Sequence, residues 1–331
     1  MDNLYDVIIV GAGPAGLTSA IYCARRQMKT LIVAKSLGGQ AALANDVENW
    51  PGIENISGFE LMNNFKLQAD KLGLEFNFNE VLNITKSGDN FVVKTNKDEL
   101  QAKSAILSFG LTPRDLGVPG EAELKGRGVT YCAICDGPLY KGKVVAVVGA
   151  GNSALESAEY MSKLAKQVYL LSNSDKFTAD PVLVEDVQKI SNVELTCFSK
   201  IKEIKGVGKV ESIVLADTRD EEKTKEIKLD GVFVEAGHQA KTGWLKGTVD
   251  LNDKGEIITN RDCETSEAGI FGAGDCTDTT YKQIVIAAGE GAKAALQAYK
   301  YVVAKSSGYI KPDWGKCKTV QGEDVNLNMV K

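Results

Sequence analysis

Two glycine-rich turns, each lying between an apolar strand pattern and a helical pattern, constrain the fold of this chain more than any other feature. In the first, the β-branched run of residues 5–10 leads into Gly11-x-Gly13-x-x-Gly16, and a second strand is expected over residues 30–34. The first glycine permits a tight turn, the second lets the backbone approach a pyrophosphate, and the third packs the helix on the strand. This context predicts a parallel βαβ unit that binds a dinucleotide.

The second turn repeats this design 138 residues later, with Gly149 in the place of Gly11. A strand is expected over residues 143–148, a helix over 153–165 and a further strand over 167–171. The turn consists of Gly149, Ala150, Gly151, Asn152, Ser153 and Ala154. Alanine is a permitted third position of the fingerprint. Two such units indicate an internal duplication and two dinucleotide sites.

The rest of the sequence indicates that the two units are interleaved. Residues 110–120 are typical of a crossover between domains, and residues 237–247 of a return. Residues 270–275 predict another buried strand, whose terminal carboxylate could accept hydrogen bonds from the sugar-alcohol chain of a cofactor or could belong to an ordinary turn. An alanine-rich helix is expected over 284–303 and an extended tail over 305–331.

A pair of cysteines, Cys132 and Cys135, is the sharpest chemical signal. Two thiols separated by two residues can close a small disulfide and suit thiol–disulfide exchange, although a purely structural pair is an alternative. Zinc would need further ligands, and the chain has one histidine, His238, and no second close cysteine pair, so no metal site is expected. Asp136 could shuttle the proton that a leaving thiolate requires. Alternatively, Asp136 caps a helix or lies on the surface.

The charge and hydropathy patterns exclude several classes of partner. The formal net charge is −5, from 44 acidic and 39 basic residues without long blocks of one sign. A nucleic-acid-binding face would need concentrated basic residues, and a membrane span would need about 18 consecutive apolar residues. Neither is present, so no nucleic-acid or membrane partner is expected. The acidic N-terminus without a signal peptide and the odd number of cysteines, seven, predict a cytoplasmic protein.

Seven motifs occur in a fixed order along the chain: GAGPAG at 11–16, GGQ at 38–40, VENWPG at 47–52, CAICDG at 132–137, GAGNSA at 149–154, GAGDC at 272–276 and YKQI at 281–284. In this order they resemble the low-molecular-weight thioredoxin reductases. They are equally similar to the flavoprotein subunit of alkyl hydroperoxide reductase without its extra N-terminal domain. The resemblance covers roughly residues 4–303.

The resemblance implies an α/β fold with two doubly wound, Rossmann-like dinucleotide-binding domains, the nicotinamide domain being inserted into the FAD domain. The FAD domain would comprise residues 1–115 and 246–331, and the NAD(P)H domain with the redox pair residues 116–245. FAD would bind at Gly11, Gly13, Gly16, Gly39, Gln40, Asn49, Asp275 and Gln283. The nicotinamide nucleotide would bind at Gly149, Gly151, Asn152, Ser153, Ala154 and Lys176. Family members are usually homodimers, so a homodimer is expected.

The implied reaction passes a hydride from NAD(P)H to FAD, after which the reduced flavin opens the Cys132–Cys135 disulfide. The dithiol then reduces a thioredoxin-like protein through a mixed disulfide. By resemblance, Cys135 would lie nearer the flavin, Cys132 would attack the partner, and Asp136 would act as acid and base. Rotation of the domains about their linkers would gate turnover.

One stretch departs from the family pattern. Reductases that use NADPH carry His-Arg-Arg-x-x-x-Arg after the second strand of the nicotinamide domain, and the three arginine positions are Asn173, Ser174 and Thr178 here. A 2′-phosphate is normally held by forked arginines, and only Lys176 is nearby. The acid that would hold the ribose of NADH is also missing around Ser172. Because the residues that follow are more similar to the peroxide-reductase flavoprotein, NADH is favoured over NADPH.

Three alternatives stay open at this point. The donor could be a ferredoxin, or the protein could be a flavin-dependent disulfide oxidase of the same fold that passes electrons to oxygen. From a different class, it could be an FAD-binding or sensor protein with a vestigial cysteine pair. In the tail, Tyr309 and Trp314 could stack on a flavin or a partner subunit, or could belong to a loosely ordered terminus.

Overall fold

A computed structural model describes residues 4–44, 46–307, 316–318 and 324–326. Its helices are α1 (Pro14–Arg25), α2 (Gly58–Lys71), α3 (Glu121–Leu124), α4 (Ala133–Asp136), α5 (Asn152–Ser162), α6 (Pro181–Gln188) and α7 (Ile284–Ser307). Short 3₁₀ helices lie at Gly39–Leu43, Gly137–Tyr140 and Gly243–Leu245.

The strands alternate with these helices in the order expected of an α/β protein. They are β1 (Leu4–Ala12), β2 (Thr30–Leu37), β3 (Glu75–Asn77), β4 (Val81–Ser87), β5 (Asn90–Thr95), β6 (Glu99–Leu107), β7 (Thr112–Pro113), β8 (Val129–Thr130), β9 (Val144–Val148), β10 (Gln167–Leu171), β11 (Val193–Thr196), β12 (Ser199–Lys205), β13 (Ser212–Asp217), β14 (Asp220–Lys228), β15 (Gly231–Val234), β16 (His238–Gln239), β17 (Ile270–Gly272), β18 (Lys316–Lys318) and β19 (Asp324–Asn326).

The first large sheet has the order β3-β2-β1-β6-β5-β4, and β17 also pairs with β6. Strands β3, β2, β1, β6 and β17 run parallel, whereas β5 and β4 form an antiparallel edge. Val7, Ile8 and Ile9 in β1 are fully buried, as a continuous apolar run in a central parallel strand should be. The parallel core brings the carboxyl ends of β1 and β17 to one edge of this sheet.

The second large sheet is parallel throughout, in the order β11-β10-β9-β15-β8. A separate antiparallel sheet, β12-β13-β14, follows it in the chain. All strands of the parallel sheet come from residues 129–234, which lie in the chain between β6 and β17. The second set of strands is therefore inserted into the first, as the sequence predicts, and the predicted class of two Rossmann-like α/β layers is confirmed.

The chain divides into two compact units. One comprises Met1–Gly39, Met62–Gly110 and Thr242–Lys331, and the other Gln40–Leu61 and Leu111–Lys241. The predicted domain boundaries at 115 and 245 lie a few residues beyond these divisions, and the short segment Gln40–Leu61 groups with the second unit. Which cofactor each unit binds stays a prediction.

The C-terminal region differs from the expected tail in one respect. Helix α7 continues to Ser307, past the predicted end of the helix at 303, and β18 pairs antiparallel with β19. The stacking predicted for Tyr309 and Trp314 falls outside the described residues. Within the described part of the chain, none of the helices combines the length and apolarity that crossing a membrane requires.

Candidate active site

The first glycine turn is built so that two of its glycines cannot carry a side chain. Gly11 has a φ of +113°, and a Cβ there would lie 2.4 Å from the Ser108 carbonyl oxygen. A Cβ on Gly16 would lie 1.9 Å from the carbonyl oxygen of Gly11. Gly13 is different, because the nearest atom to its Cβ position is the Gly38 oxygen at 3.8 Å. Open space therefore faces the backbone where helix α1 begins, and a dinucleotide pyrophosphate fits there.

Asp275 follows β17 and is held close to this turn. A Cβ on Gly274 would lie 3.0 Å from the Cβ of Ala15, in the first turn of α1. The Gly274 N–H donates to a Glu290 carboxylate oxygen at 2.8 Å, and Lys282 Nζ donates to the Asp275 carbonyl at 3.1 Å. Burial raises the pKa of the half-buried Asp275 carboxyl, an effect that nearby Lys282 opposes. The predicted strand thus places a carboxyl group beside the glycine turn.

The other residues predicted to contact FAD divide between the two units. Gly39 lies in the first unit, where its Cβ position is 3.7 Å from the Cα of Gly13. Gln283, in the same unit, is exposed, and its carbonyl accepts the Ala287 N–H at the start of α7. Gln40 and Asn49 are exposed and belong to the second unit.

The second glycine turn repeats the geometry of the first. Gly149 donates its N–H to the Leu171 carbonyl at 3.0 Å, and a Cβ on Gly149 would lie 2.3 Å from the Glu235 carbonyl oxygen. The Cβ of Ala154 would lie 2.8 Å from that same position. Gly151 has no atom within 4 Å of its Cβ position. Here too the central glycine leaves room for a ligand at the start of a helix, α5.

A cavity of about 800 Å³ opens at this turn, at the carboxyl ends of β9, β10 and β15. In doubly wound sheets this is the edge where ligands bind. The turn residues predicted from the sequence all line the cavity, namely Gly149, Gly151, Asn152, Ser153 and Ala154. Asn173 and Thr178, which occupy two of the family's three arginine positions, line it as well.

Lys176 does not line the cavity. Its side chain is exposed, and its carbonyl accepts hydrogen bonds from the hydroxyls of Ser172 at 3.2 Å and Ser174 at 2.6 Å. These bonds fix the loop after β10. The predicted role of the Lys176 ammonium in nucleotide binding stays a prediction.

Several charged residues that the sequence did not single out also line the cavity. Glu235 follows β15, is half-buried, and accepts a hydrogen bond from Ser157 Oγ at 2.7 Å. Burial raises the pKa of Glu235, and burial lowers the pKa of His238, which lines the same space. The signal that could have found Glu235 is the one that marks Asp275, an acid directly after a buried strand.

Cys132 and Cys135 form a disulfide, as the sequence predicts, with their Cα atoms 5.4 Å apart. Cys132 is half-buried and precedes helix α4, whereas Cys135 is exposed. The N–H of Cys135 points at the Cys132 sulfur, 3.2 Å away. Thr130 Oγ1 donates a hydrogen bond to the Asp136 carboxylate and accepts one from the Cys132 N–H at 3.3 Å. The disulfide and the acid are therefore tied to the same hydroxyl.

The other cysteines whose surroundings are described lie apart from this chemistry. Cys23, Cys263 and Cys276 are buried and Cys197 is half-buried. Burial raises the pKa of Cys23 and Cys276 to about 12 and that of Cys263 to about 11. The thiolate is the reactive form, so these three buried thiols are unreactive near neutral pH.

Comparison with known proteins agrees with this geometry. Residues 5–291 match the family described as pyridine nucleotide-disulphide oxidoreductase. The thioredoxin reductase of Bacillus subtilis is 39% identical over 303 residues, covering 91% of this chain and 96% of that protein. The solved thioredoxin reductase of Lactococcus lactis is 36% identical with a TM-score of 0.81, covering 90% of this chain and 99% of that one.

One component of the alkyl hydroperoxide reductase of Pseudomonas aeruginosa is 40% identical over 312 residues. The match covers 92% of this chain, but only 60% of the length of that relative. Both kinds of relative indicated by the seven ordered motifs are thus found, and the resemblance is confirmed. With a family match across most of its length and relatives near 40% identity, this chain belongs to the pyridine nucleotide-disulphide oxidoreductase family.

Proposed function

We propose that this protein is an FAD-dependent disulfide reductase that passes electrons from NAD(P)H through Cys132 and Cys135 to a thioredoxin-like protein. The observation that carries the proposal is a C-x-x-C disulfide with an exposed cysteine in a chain that also builds two open glycine turns. A redox pair and two dinucleotide sites are the parts that such an electron path requires. Family membership supports the same reaction class.

The first turn is the proposed FAD site. Gly11 and Gly16 shape the turn, Gly13 leaves the open backbone for the pyrophosphate, and Asp275 would accept hydrogen bonds from the sugar-alcohol chain. Gly39, Gln40, Asn49 and Gln283 are proposed as further contacts. Bound FAD would supply a carrier that takes two electrons from the nicotinamide and passes them to the disulfide.

The second turn and its cavity are the proposed site of the nicotinamide nucleotide. Gly151 leaves room for the pyrophosphate at the N-terminus of α5, where backbone N–H groups favour an anion. Asn152 and Ser153 follow it as the first residues of the helix. We infer NADH as the preferred donor, because Asn173 and Thr178 bring no positive charge to the cavity where a 2′-phosphate would need it.

Once two electrons and two protons have opened the disulfide, the cysteines perform the exchange. The Cys132 thiolate attacks one sulfur of the partner disulfide and displaces the other as a thiolate, which takes a proton from Asp136 or from water. The Cys135 thiolate then attacks the Cys132 sulfur in the mixed disulfide. The intramolecular disulfide re-forms, and the partner leaves as a dithiol carrying the two electrons.

The setting inferred from the sequence completes the proposal. We infer a cytoplasmic homodimer that acts on a small redox protein and uses neither nucleic acid nor a membrane as a partner. The net charge of −5 without basic blocks supports the absence of nucleic acid. A reducing compartment suits three buried free thiols beside one redox pair.

An anaerobic titration followed by turnover tests the function. NADH should bleach the flavin absorbance of the purified protein, and NADH with a thioredoxin should yield two thiols per nucleotide consumed. Bleaching only by reduced ferredoxin would replace the donor, and oxygen uptake driven by a small dithiol would make the protein an oxidase. Protein that cannot be loaded with FAD would end the proposal.

A further inference from the structure

The antiparallel sheet β12-β13-β14 begins beside the loop that follows β10. The N–H of Ser199 donates to the Ser172 carbonyl at 2.8 Å, and the N–H of Phe198 donates to the Ser174 carbonyl at 2.9 Å. These bonds hold the start of β12 at the carboxyl end of β10. In dinucleotide sites of this fold, an acid near the end of the second strand holds the ribose of the adenosine half. The corresponding strand here is β10.

The loop after β10 brings no carboxylate into the cavity. Glu221 and Glu235 are the carboxylate residues that line it. Glu235 follows β15 and is bound by Ser157 of α5, which places it on the far side of the glycine turn from β10. Glu221, at the start of β14, belongs to the sheet attached to the β10 loop. It is therefore the carboxylate available to the adenosine end.

Glu221 is held in place by an ion pair. Lys200 on β12 reaches across β13 and donates from Nζ to a Glu221 carboxylate oxygen at 2.5 Å. This bond lowers the pKa of Glu221, so the group is a carboxylate at neutral pH. Lys200 and Lys202 line the cavity too, and Lys202 forms no ion pair within the described residues. Removing the Glu221 charge would leave two uncompensated ammonium groups at this end.

We propose that Glu221, oriented by Lys200, selects NADH over NADPH by accepting hydrogen bonds from the adenosine ribose and repelling a 2′-phosphate. The inference rests on the proposed function only in taking the cavity as the nucleotide site. A carboxylate accepts hydrogen bonds and donates none, so it pairs with hydroxyl groups. A phosphate at the same place adds close to two negative charges and only acceptor oxygens. The acid missing from the usual strand is thus supplied by a different part of the fold.

Calorimetric binding of NAD⁺ and NADP⁺ to FAD-loaded Glu221→Gln tests the inference, with 5′-AMP and 2′,5′-ADP as shorter probes. Losing the carboxylate and freeing Lys200 should raise the ratio of NADP⁺ to NAD⁺ affinity by about fivefold or more. The gain should shrink in about 0.5 M salt, because charges near a surface are strongly screened at that ionic strength. Glu222→Gln is the matched control, because Glu222 is the exposed neighbour on β14 and does not line the cavity.

The possible outcomes separate this inference from the reductase proposal. A ratio that stays within about twofold of the wild-type value would overturn the role of Glu221, as would tighter binding of NADP⁺ than NAD⁺ by the wild type. Absence of nucleotide binding in the wild type would overturn it as well. A shifted affinity ratio without flavin bleaching would leave the role of Glu221 supported and remove the proposed electron path. Circular dichroism of both variants shows whether they are folded.

Discussion

Thr130 donates its hydroxyl hydrogen to the carboxylate of Asp136, so the proposed acid is fixed to the strand that leads into the redox pair. The same hydroxyl oxygen accepts the N–H of Cys132, and Thr130 is 5% exposed. A buried hydroxyl that bridges the acid and the nucleophile orients both.

Replacing Thr130 with valine removes this bridge and nearly preserves the side-chain shape. We expect the rate of thioredoxin reduction to fall about ten- to a hundredfold, because a misplaced acid transfers its proton poorly. Bleaching of the flavin by the nucleotide should be unchanged. Thr130→Ser keeps the hydroxyl and should retain most of the rate; equal losses in both variants would show that the hydroxyl has no positioning role.

Single cysteine variants separate the two sulfurs. Cys132→Ser and Cys135→Ser should each reduce turnover to background, because neither can re-form the disulfide. Both should still bind FAD. Cys135→Ser should trap a mixed disulfide through Cys132, visible by mass spectrometry with a thioredoxin that lacks its own resolving cysteine. Trapping through Cys135 instead would reverse the assigned roles.

The glycines of the first turn should respond differently to alanine. Gly16→Ala would place a Cβ 1.9 Å from a carbonyl oxygen and should lower the free energy of unfolding by about 3 kcal/mol. Gly13→Ala meets nothing closer than 3.8 Å and should fold, yet bind FAD about tenfold more weakly or worse. Thermal unfolding and FAD titration distinguish the two effects.

Gly289→Ala in α7 is the control for these variants. No atom lies within 4 Å of its Cβ position, and alanine favours a helix, so the variant should be stabilised by about 0.5 kcal/mol. If Gly13→Ala bound FAD as tightly as the wild type, the open space at the first turn would not be the pyrophosphate site.

Glu235 should make nucleotide binding depend on pH. Burial raises its pKa, so its carboxyl is protonated in the folded protein at pH values where it would be ionised in the unfolded chain. As the pH rises through the raised pKa, a negative charge forms beside the second glycine turn, and nucleotide affinity and folding stability should both fall. Glu156 on α5 adds to the shift; Lys200, Lys202, Glu221 and His238 face the same cavity.

Glu235→Gln should flatten this dependence in both equilibrium binding and chemical denaturation. Glu159→Gln is the control, because Glu159 lies on the same helix and pairs with exposed Lys163. A pH profile for Glu235→Gln that matches the wild type would assign the dependence to another group.

Local patterns made much of the fold predictable. Gly11 and Gly149 each follow a β-branched run, and the strand expected over 167–171 is β10 to the residue. The ends of other elements were less predictable: β2 extends to Leu37 rather than 34, and α5 ends at Ser162 rather than 165. Strand and helix ends depend on hydrogen bonds to distant segments, which the local pattern does not contain.

The charged lining of the cavity could not be derived in the same way. Strand β14 reads DEEKTKEIK, and its side chains are exposed apart from Ile227, so it lacks the alternation that marks a half-buried strand. Glu221 meets Lys200 only because two antiparallel pairings bring β12 and β14 to either side of β13. The sequence gives no sign that His238 lines the cavity, because its neighbours in space come from other segments.

The contact between the Cys135 N–H and the Cys132 sulfur makes the two thiols unequal before any partner arrives. After reduction, a backbone donor 3.2 Å from one sulfur would stabilise negative charge on that atom. Cys135, in the helix itself, would carry no matching amide of this kind within the four-residue turn. The backbone would thereby decide which end of the dithiol is the better nucleophile, and sequence changes around the pair could alter the substrate without altering that choice.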